Sequence, residues 1–361
     1  MFCNIEMANP NIKNIGAIGS QSISFDNLFL QPNWDYAALA YILGSYISSI
    51  GLLLLPSGWA NGLGVIGLTH SLVLSAYMTH EFIHRPIFSN QLLNWLGRNL
   101  MGWLNGSYYI RFQELRKMHL AHHTNRIDYC RFQLVPFLKA LPPPIRWFFL
   151  GSEWLYFPSL AFLLRIRLLL LCLWKPHSPF ERIKLIFLLV LRLSFFLSLG
   201  LISLKALLLY FLAYCCMLHI LRFMDAFQHT YESTSLGGSL PAWVQDLPPQ
   251  VANVYEQANT YSYVISQEYA WLNYLLLNFG YHNAHHQVMY CPWYHLSKLD
   301  RAIVSDRKVA KLPFWKLLKN YHRFRVSRIF MGQGEVSPQP NGYQIERFFG
   351  AIEVSFLVIP K

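Results

Sequence analysis

Residues 59–84 read WANGLGVIGLTHSLVLSAYMTHEFIH, an apolar run that ends directly in the motif HEFIH. Residues 59–79 carry no charged side chain, and a helix of that length crosses about 30 Å of hydrocarbon. His80 and His84 of the motif lie four residues apart, which places both imidazoles on one face of a helix. The stretch therefore predicts a membrane-spanning helix whose inner end carries a pair of metal-ligand side chains.

Three further apolar runs predict three more spans. Residues 36–55 are uncharged and are separated from the first stretch only by the sequence Pro-Ser-Gly, so the two runs form a hairpin. Residues 185–204 and 206–221 predict a second hairpin, with Lys205 in a very short outer connection. Arg192 is the one charged residue within the two apolar runs themselves, and we expect it to face other protein or to snorkel.

A fifth apolar stretch, residues 150–174, is interrupted by Glu153, Arg165 and Arg167. This pattern is typical of a helix that lies at the membrane interface with its arginines snorkelling towards water. We therefore do not count it as a span. Such a helix would form a suitable rim for a tunnel through which an apolar molecule enters from the bilayer.

The composition agrees with a membrane protein. Hydrophobic residues make up 54% of the 361 residues and charged residues only 13%, about half the charged share of a soluble globular protein. This balance excludes disordered, coiled-coil and collagen-like chains. The six cysteines form no CxxC pair, so we expect reduced thiols. The polar N-terminal segment does not have the pattern of a cleavable signal peptide.

The net charge of +12 is explained by topology. The bases concentrate between the second and third spans and after the fourth, where residues 298–328 hold ten Lys and Arg against two Asp. Because cytoplasmic loops are enriched in Lys and Arg, four spans place both termini and the histidine motifs on the cytoplasmic side. The bases suit anionic lipid head groups, and no nucleic-acid-reading motif is interleaved with them.

We expect an all-α polytopic membrane protein with about four transmembrane helices and a cytosolic helical cap that holds the histidines. Residues 1–361 would form a single membrane-embedded domain. Its parts are a polar N-terminal segment (1–35), the first hairpin (36–79), a cytosolic or interfacial part (80–184), the second hairpin (185–222), and a cytosolic part with a basic tail (223–361).

The histidines fall into three groups. Besides HEFIH, the chain contains H-L-A-H-H and H-N-A-H-H. At this histidine content about 0.02 matches to H-x-x-H-H are expected by chance, so two matches are a strong signal. Positions i, i+3 and i+4 share one face of a helix, and each triad therefore directs its imidazoles to one point. The triads consist of His119, His122 and His123, and of His282, His285 and His286.

A further pair, Asp225 and His229, has helical i, i+4 spacing and follows the fourth span. Nine histidines and one carboxylate on one side of the membrane are too many for a single ion and suggest two metals. Imidazole suits zinc, copper, iron and nickel, so the ligand type leaves the metal open.

These residues resemble the integral-membrane fatty acid desaturase and hydroxylase superfamily, whose pattern is HxxxH or HxxxxH followed by two HxxHH boxes and a further histidine after the last span. The phrase NFGYHNAHH at residues 278–286, with PWY at 292–294, is especially similar to the family. The resemblance covers residues 36–300. It implies a non-haem di-iron centre, with O2 as co-substrate, whose ligands would be His80, His84, His119, His122, His123, Asp225, His229, His282, His285 and His286.

One position departs from the family. Structurally known members have an Asn-xxx-His element in which the Asn contacts a metal through water, and here Asp225 stands in place of that Asn. Asp225 could bind a metal directly or through water, or it could orient a ligand histidine. His229 is the histidine of this element, and the resemblance implies that it is a ligand.

The resemblance implies an oxidoreductase that introduces a double bond into a fatty acyl chain or another long apolar substrate. Zinc does not change oxidation state, so O2 activation against a methylene requires a redox metal. No haem-binding or flavin domain is apparent, and we expect electrons from a separate carrier of the ferredoxin or cytochrome b5 type. The basic tail is the candidate docking surface.

Two alternatives remain open. The same scaffold serves hydroxylases, carotenoid ketolases and decarboxylases that form terminal alkenes, and ligand sequence does not separate these outcomes. HEFIH is also a literal HExxH, the zinc-protease motif with Glu81 as general base, but a protease would leave seven histidines unexplained. The remaining histidines are interpreted as structural groups: His70, His177, His219, His295 and His322.

Overall fold

The computed structural model describes residues 32–130, 132–175, 178–235, 248–304, 311–339 and 342–352. These residues are predominantly helical, with a few three-residue strands. The helices are α1 (Pro32–Leu54), α2 (Gly58–His84), α3 (Gln91–Asn105), α4 (Phe112–Asn125), α5 (Leu134–Ala140), α6 (Pro143–Trp154), α7 (Ser159–Trp174), α8 (Pro179–Ile202), α9 (Leu204–Ala226), α10 (Pro249–Asn259), α11 (His282–Gln287), α12 (Leu296–Val304), α13 (Phe314–Arg323) and α14 (Arg328–Met331).

Four helices are long and apolar enough to cross a membrane: α1, α2, α8 and α9. They form the two predicted hairpins, and the prediction of an all-α polytopic fold is confirmed. In the second hairpin, α8 begins before its predicted start and α9 ends after its predicted end. The break between the two helices falls at Ser203. The side chain of Ser203 accepts a hydrogen bond from the amide of Ala206 and caps α9.

The α2 helix lies at the centre of the bundle and packs against α1, α3 and α9. Its residues from Leu68 to His84 are buried almost without interruption. Small polar side chains fasten it to its neighbours, as when the Ser71 hydroxyl donates to the carbonyl of Ile42 over 2.8 Å. Because this part of α2 is buried on all sides, the histidines at its C-terminal end are held in a fixed position.

The stretch 150–174 differs from the single interfacial helix that its sequence predicts. It contains the end of α6 and all of α7, and the two helices are bent by 116°. Tyr156 has a positive φ of 62° in the connection, and Pro158 precedes α7. Length and composition allow this pair to count as a fifth span if the two helices are taken together.

Arg165 does not snorkel as predicted, and Arg192 follows the first of its two predicted alternatives and faces other protein. Arg165 of α7 is only 7% exposed and Arg192 of α8 only 8% exposed. Arg165 donates to the carbonyl of Asn105 and to the hydroxyl of Tyr214. Both guanidinium groups therefore point into the protein, where carbonyl and hydroxyl oxygens take the place of water.

Short strands join the ends of distant helices. The strands β1 (Asp128–Cys130), just after α4, and β2 (Ser233–Ser235), just after the α9 segment, pair in parallel. A second, antiparallel pair consists of β3 (Ser337–Gln339) and β4 (Gly342–Gln344). The first pair brings the end of α4, the helix that carries the H-L-A-H-H motif, beside the segment that carries His229.

Candidate metal centre

The structure gathers all nine predicted histidines into two adjacent groups. The first consists of five buried residues whose ligand nitrogens lie within 4.8 Å of one another, and the second is a similar group of four. The first group is His80, His84, His119, His123 and His285. The second group is His122, His229, His282 and His286.

Three elements build the five-histidine group. The α2 helix contributes the i, i+4 pair of its HEFIH motif, α4 contributes another i, i+4 pair, and α11 contributes His285. The Nε2 atoms of His84 and His119 are 2.9 Å apart, and those of His119 and His123 are 3.1 Å apart. Imidazole nitrogens this close together, each with a lone pair to offer, form a donor set that could hold one metal ion.

The four-histidine group takes His122 from α4, His282 and His286 from α11, and His229 from the segment that follows α9. His122 of α4 directs Nε2 to within 3.2 Å of Nε2 of His229, and His282 approaches the same atom at 2.7 Å. The two groups are in direct contact, since the rings of His123 and His286 are 4.1 Å apart between centroids. Each HxxHH box therefore contributes to both groups.

A close backbone approach places the third box. The amide of Tyr263 donates to the carbonyl of Gly280 over 2.9 Å, and a Cβ at position 280 would lie 2.4 Å from the carbonyl oxygen of Tyr263. Only glycine therefore fits between Phe279 and Tyr281. The amide of Asn283 then donates to the hydroxyl of Ser262, which fixes the start of α11.

Two carboxylates that belong to no sequence motif lie beside histidines of the four-histidine group. Nδ1 of His122 donates to the carbonyl of Ile127 over 3.0 Å and lies 3.2 Å from Oδ1 of Asp128. Nδ1 of His286 lies 3.0 Å from Oε1 of Glu256. Because a carbonyl only accepts, the Nδ1 of His122 carries the proton, and Nε2 keeps the lone pair that could bind a metal.

Glu256 is itself held in place. Its Oε2 accepts from Nε of Arg126 over 3.0 Å, so the carboxylate bridges a guanidinium and an imidazole. Burial raises the pKa of Glu256, while Arg126 and His122 oppose that rise. The signal in the sequence that could have found this residue is weak, because Glu256 belongs to no motif and lies thirty positions before its partner.

The environment keeps most of the imidazoles neutral. Burial lowers the pKa of His119, His123 and His286 well below the usual value, with neighbouring histidines adding to the effect, and it lowers the pKa of His285 to about 3. Burial also opposes the charged form of His122, but Asp128 and the Ile127 carbonyl raise its pKa. Neutral imidazole is the form that binds metals.

Asp225 lies outside both groups. Its side chain is buried and is close enough to Tyr263 to help burial raise the pKa of that hydroxyl. The α9 helix ends at Ala226 and the chain turns at Phe227, so Asp225 and His229 do not share a helical face. The expectation that Asp225 contacts a metal, directly or through water, stays a prediction.

Glu81 belongs to an ion-pair network that joins the end of α2 to the first turn of α1. Its Oε2 accepts from Arg85 over 3.2 Å and from the amide of Trp293 at 3.4 Å. Arg85 also pairs with Asp35 at 2.7 Å, and the indole of Trp293 donates to the same carboxylate. The network fastens the PWY segment after the third box to the first hairpin.

Most of the remaining described histidines contact protein atoms away from both groups. His70 bridges the Tyr41 hydroxyl and the carbonyl of Leu275. A ring nitrogen of His219 is hydrogen-bonded to the Tyr156 carbonyl, and a ring nitrogen of His322 lies within hydrogen-bond distance of the Tyr156 hydroxyl. His295 is buried against Tyr294, and His177 lies outside the described residues.

The fold and the site define an integral-membrane protein of the all-α class with two buried histidine groups that could hold metal ions. The chain belongs to the fatty acid desaturase family, since the family model described as "Fatty acid desaturase" matches residues 57–317. The matched region contains every predicted ligand. No curated protein sequence matches the chain.

Proposed function

We propose that this protein is an O2-dependent di-iron oxidoreductase that introduces a double bond into a fatty acyl chain. The observation that supports the proposal most strongly is the division of nine histidines into two adjacent groups of five and four. An all-imidazole donor set suits a first-row metal such as iron. Iron at the two groups would supply the redox chemistry that activates O2 and removes hydrogen from an unactivated methylene.

The residues of the chain have separate tasks in this proposal. The buried, neutral imidazoles would bind the ions, while Asp128 and Glu256 hold the rings of His122 and His286 in the tautomer that leaves Nε2 free. Burial of nearly all nine rings keeps bulk water from the site, which protects a reactive oxidant from side reactions. Asp225 is kept as a candidate contact to metal or water.

The substrate and the electrons would arrive from different directions. Apolar helices that expose large hydrophobic side chains to the membrane suit an acyl substrate that enters from the bilayer. A separate carrier of the ferredoxin or cytochrome b5 type would supply electrons from the cytoplasmic side. We infer that both termini and the metal centre face the cytoplasm and that residues 1–361 form one domain.

The experiment is product analysis in a host that expresses the chain. Gas chromatography with mass spectrometry of total lipids and hydrocarbons should show a new unsaturated acyl species that depends on O2. A hydroxylated acid, an oxidised carotenoid or a terminal alkene in its place would assign the same scaffold to a sister reaction. An unchanged profile with iron-loaded protein and a working carrier would contradict the proposal.

A further inference from the structure

A cavity of about 290 Å³ lies between α7, α8 and α9, against residues 106–109. Its walls are mainly aromatic and apolar and include Phe162 and Phe211. The two guanidinium groups of Arg165 and Arg192 line the same cavity. None of the nine histidines does, so the cavity is separate from the metal centre.

Both arginines are satisfied only by neutral groups. Arg165 donates from Nη1 to the carbonyl of Asn105 over 3.3 Å and to the hydroxyl of Tyr214 over 3.1 Å. Arg192 donates to the carbonyl of Trp103. Its guanidinium also lies over aromatic rings, with the nearest centroid at 5.1 Å. Carbonyls, hydroxyls and aromatic faces solvate a cation but do not neutralise it.

Within the described ranges, neither arginine forms an ion pair with a carboxylate. Every ion pair between side chains in the described ranges involves some other base, and Nε of the buried Arg165 has no hydrogen-bond partner there. Two cations removed from water beside one another are unfavourable unless an anion joins them. The missing element is a negative charge located between the two guanidinium groups.

The cavity reaches the lipid-facing surface. Its outer wall includes Ile166 and Phe211, which are 55% and 43% exposed, whereas Arg165 is at the buried end. Gly106 keeps the inner end open: it has a φ of +81°, and a Cβ there would lie 2.3 Å from the Tyr214 hydroxyl and 3.4 Å from Nη2 of Arg192.

We propose that this cavity binds an amphiphile with a single anionic head group, a carboxylate or a phosphate, held between Arg165 and Arg192. The apolar tail would run past Phe162 and Phe211 towards the bilayer. The planar guanidinium group can donate two parallel hydrogen bonds to two oxygens of either a carboxylate or a phosphate. A membrane offers this chemistry in free fatty acids and in anionic phospholipids. The site does not depend on the reaction proposed above.

Binding to the purified full chain in neutral detergent tests the charge requirement directly. Wild-type protein should bind radiolabelled oleate about tenfold or more tightly than oleyl alcohol, which has a similar tail and no charge. Equal affinities would overturn the proposal. Competition then identifies the source of the anionic ligand. If dioleoylphosphatidic acid displaces oleate and dioleoylphosphatidylcholine does not, the ligand is an anionic phospholipid. If neither phospholipid displaces oleate, the ligand is a free fatty acid.

Variants locate the site. Arg165→Gln and Arg192→Gln should each lose the preference for oleate by about tenfold. The matched control Arg167→Gln should retain the preference, because that guanidinium lies over Phe132 at 4.6 Å and outside the cavity. A preference that persists in both cavity variants would overturn the proposal.

A second measurement covers the case in which the cavity variants do not fold. Wild-type protein is irradiated with a photoactivatable oleate analogue, and the labelled peptides are identified by mass spectrometry. Labels in α7, α8, α9 or residues 103–109 support the site, and labels confined to other segments overturn it. Neither measurement requires turnover, so an inactive enzyme would leave the result interpretable.

Discussion

At the residue scale, two rings of the candidate centre have their Nδ1 atoms held by protein groups on the side away from the other imidazoles. Nδ1 of His286 is hydrogen-bonded to Glu256, while Nδ1 of His122 donates to the Ile127 carbonyl and lies 3.2 Å from Asp128; Nε2 of each ring is directed inwards. Histidine motifs indicate where ligands lie along the chain. The carboxylates that orient them come from other segments and depend on how the chain folds.

Replacing one ligand should disable the site without unfolding the protein. We expect His123→Ala to lower the iron content and to abolish turnover, because His123 belongs to the five-histidine group and its ring also contacts His286 of the other group. Metal analysis and lipid profiling measure both effects. His322→Ala, which removes an exposed imidazole outside both groups, is the control and should keep full activity. Retained iron and activity in the His123 variant would remove that residue from the centre.

Removal of a supporting carboxylate should weaken metal binding by less. Glu256→Gln keeps the size of the side chain but loses the charge that fixes His286 and pairs with Arg126. We expect metal affinity to fall about 10- to 100-fold, measured by competition with a chelator. Glu268→Gln alters an exposed carboxylate and should leave the affinity unchanged. An unchanged affinity in the Glu256 variant would show that this carboxylate does not support the metal.

The sequence predicted which histidines lie together but not how they divide between the two groups. Spacing alone places each triad on one helical face, and all nine predicted rings do converge. Which ring joins which group depends on the packing of α4 and α11 against α2, and local spacing does not encode that packing. Asp225 shows the limit of the rule, because i, i+4 spacing brings side chains together only while the helix continues, and α9 ends one residue later.

At the element scale, apolar run lengths predicted the four spans because hydrocarbon thickness fixes the number of residues required. They did not predict the bend between α6 and α7, which depends on local backbone geometry around Tyr156 and Pro158. They also predicted the wrong surroundings for Arg165, whereas Arg192 faces other protein, which is one of its two predicted alternatives. Snorkelling is the default for a lone helix, whereas tertiary packing provides carbonyls and aromatic faces deep in the bundle.

Hydrogen bonds from Asn61 join the two helices of the first hairpin, and their removal should measurably lower the stability of the protein. The Asn61 side chain donates from Nδ2 towards the carbonyls at the end of α1, including Leu52 at 2.9 Å and Leu55 at 3.0 Å. Asn61→Ala should lower stability by about 1–3 kcal/mol because these carbonyls lose a buried donor. A lower melting temperature in detergent reports the loss. Gly62→Ala, where a Cβ meets no atom within 4 Å, should show no decrease; an equal decrease would contradict the account.

At the scale of the whole molecule, positive charge is concentrated on the part of the chain that follows the third box. Lys316, Lys319 and Arg323 of α13 are all exposed, and their i, i+3 and i+7 positions lie on one side of the helix. A redox carrier with an acidic face would be steered to such a surface, and salt would screen the attraction.

Charge reversal on α13 tests this docking surface. Lys316→Glu combined with Lys319→Glu should raise the KM for an acidic carrier and remove the salt dependence of turnover, while kcat at saturating carrier stays the same. Lys139→Glu changes an exposed base on α5 and should have little effect. Turnover that is indifferent to ionic strength in the unmodified protein would exclude electrostatic docking.

The central claim is that the two histidine groups hold a pair of iron ions. Metal analysis of the full chain, purified from iron-replete cells by a method that uses no histidine tag or added metal, tests it most directly. The account predicts about two irons per chain with little zinc, in keeping with two separate groups of imidazole ligands. One zinc per chain and no iron would contradict it.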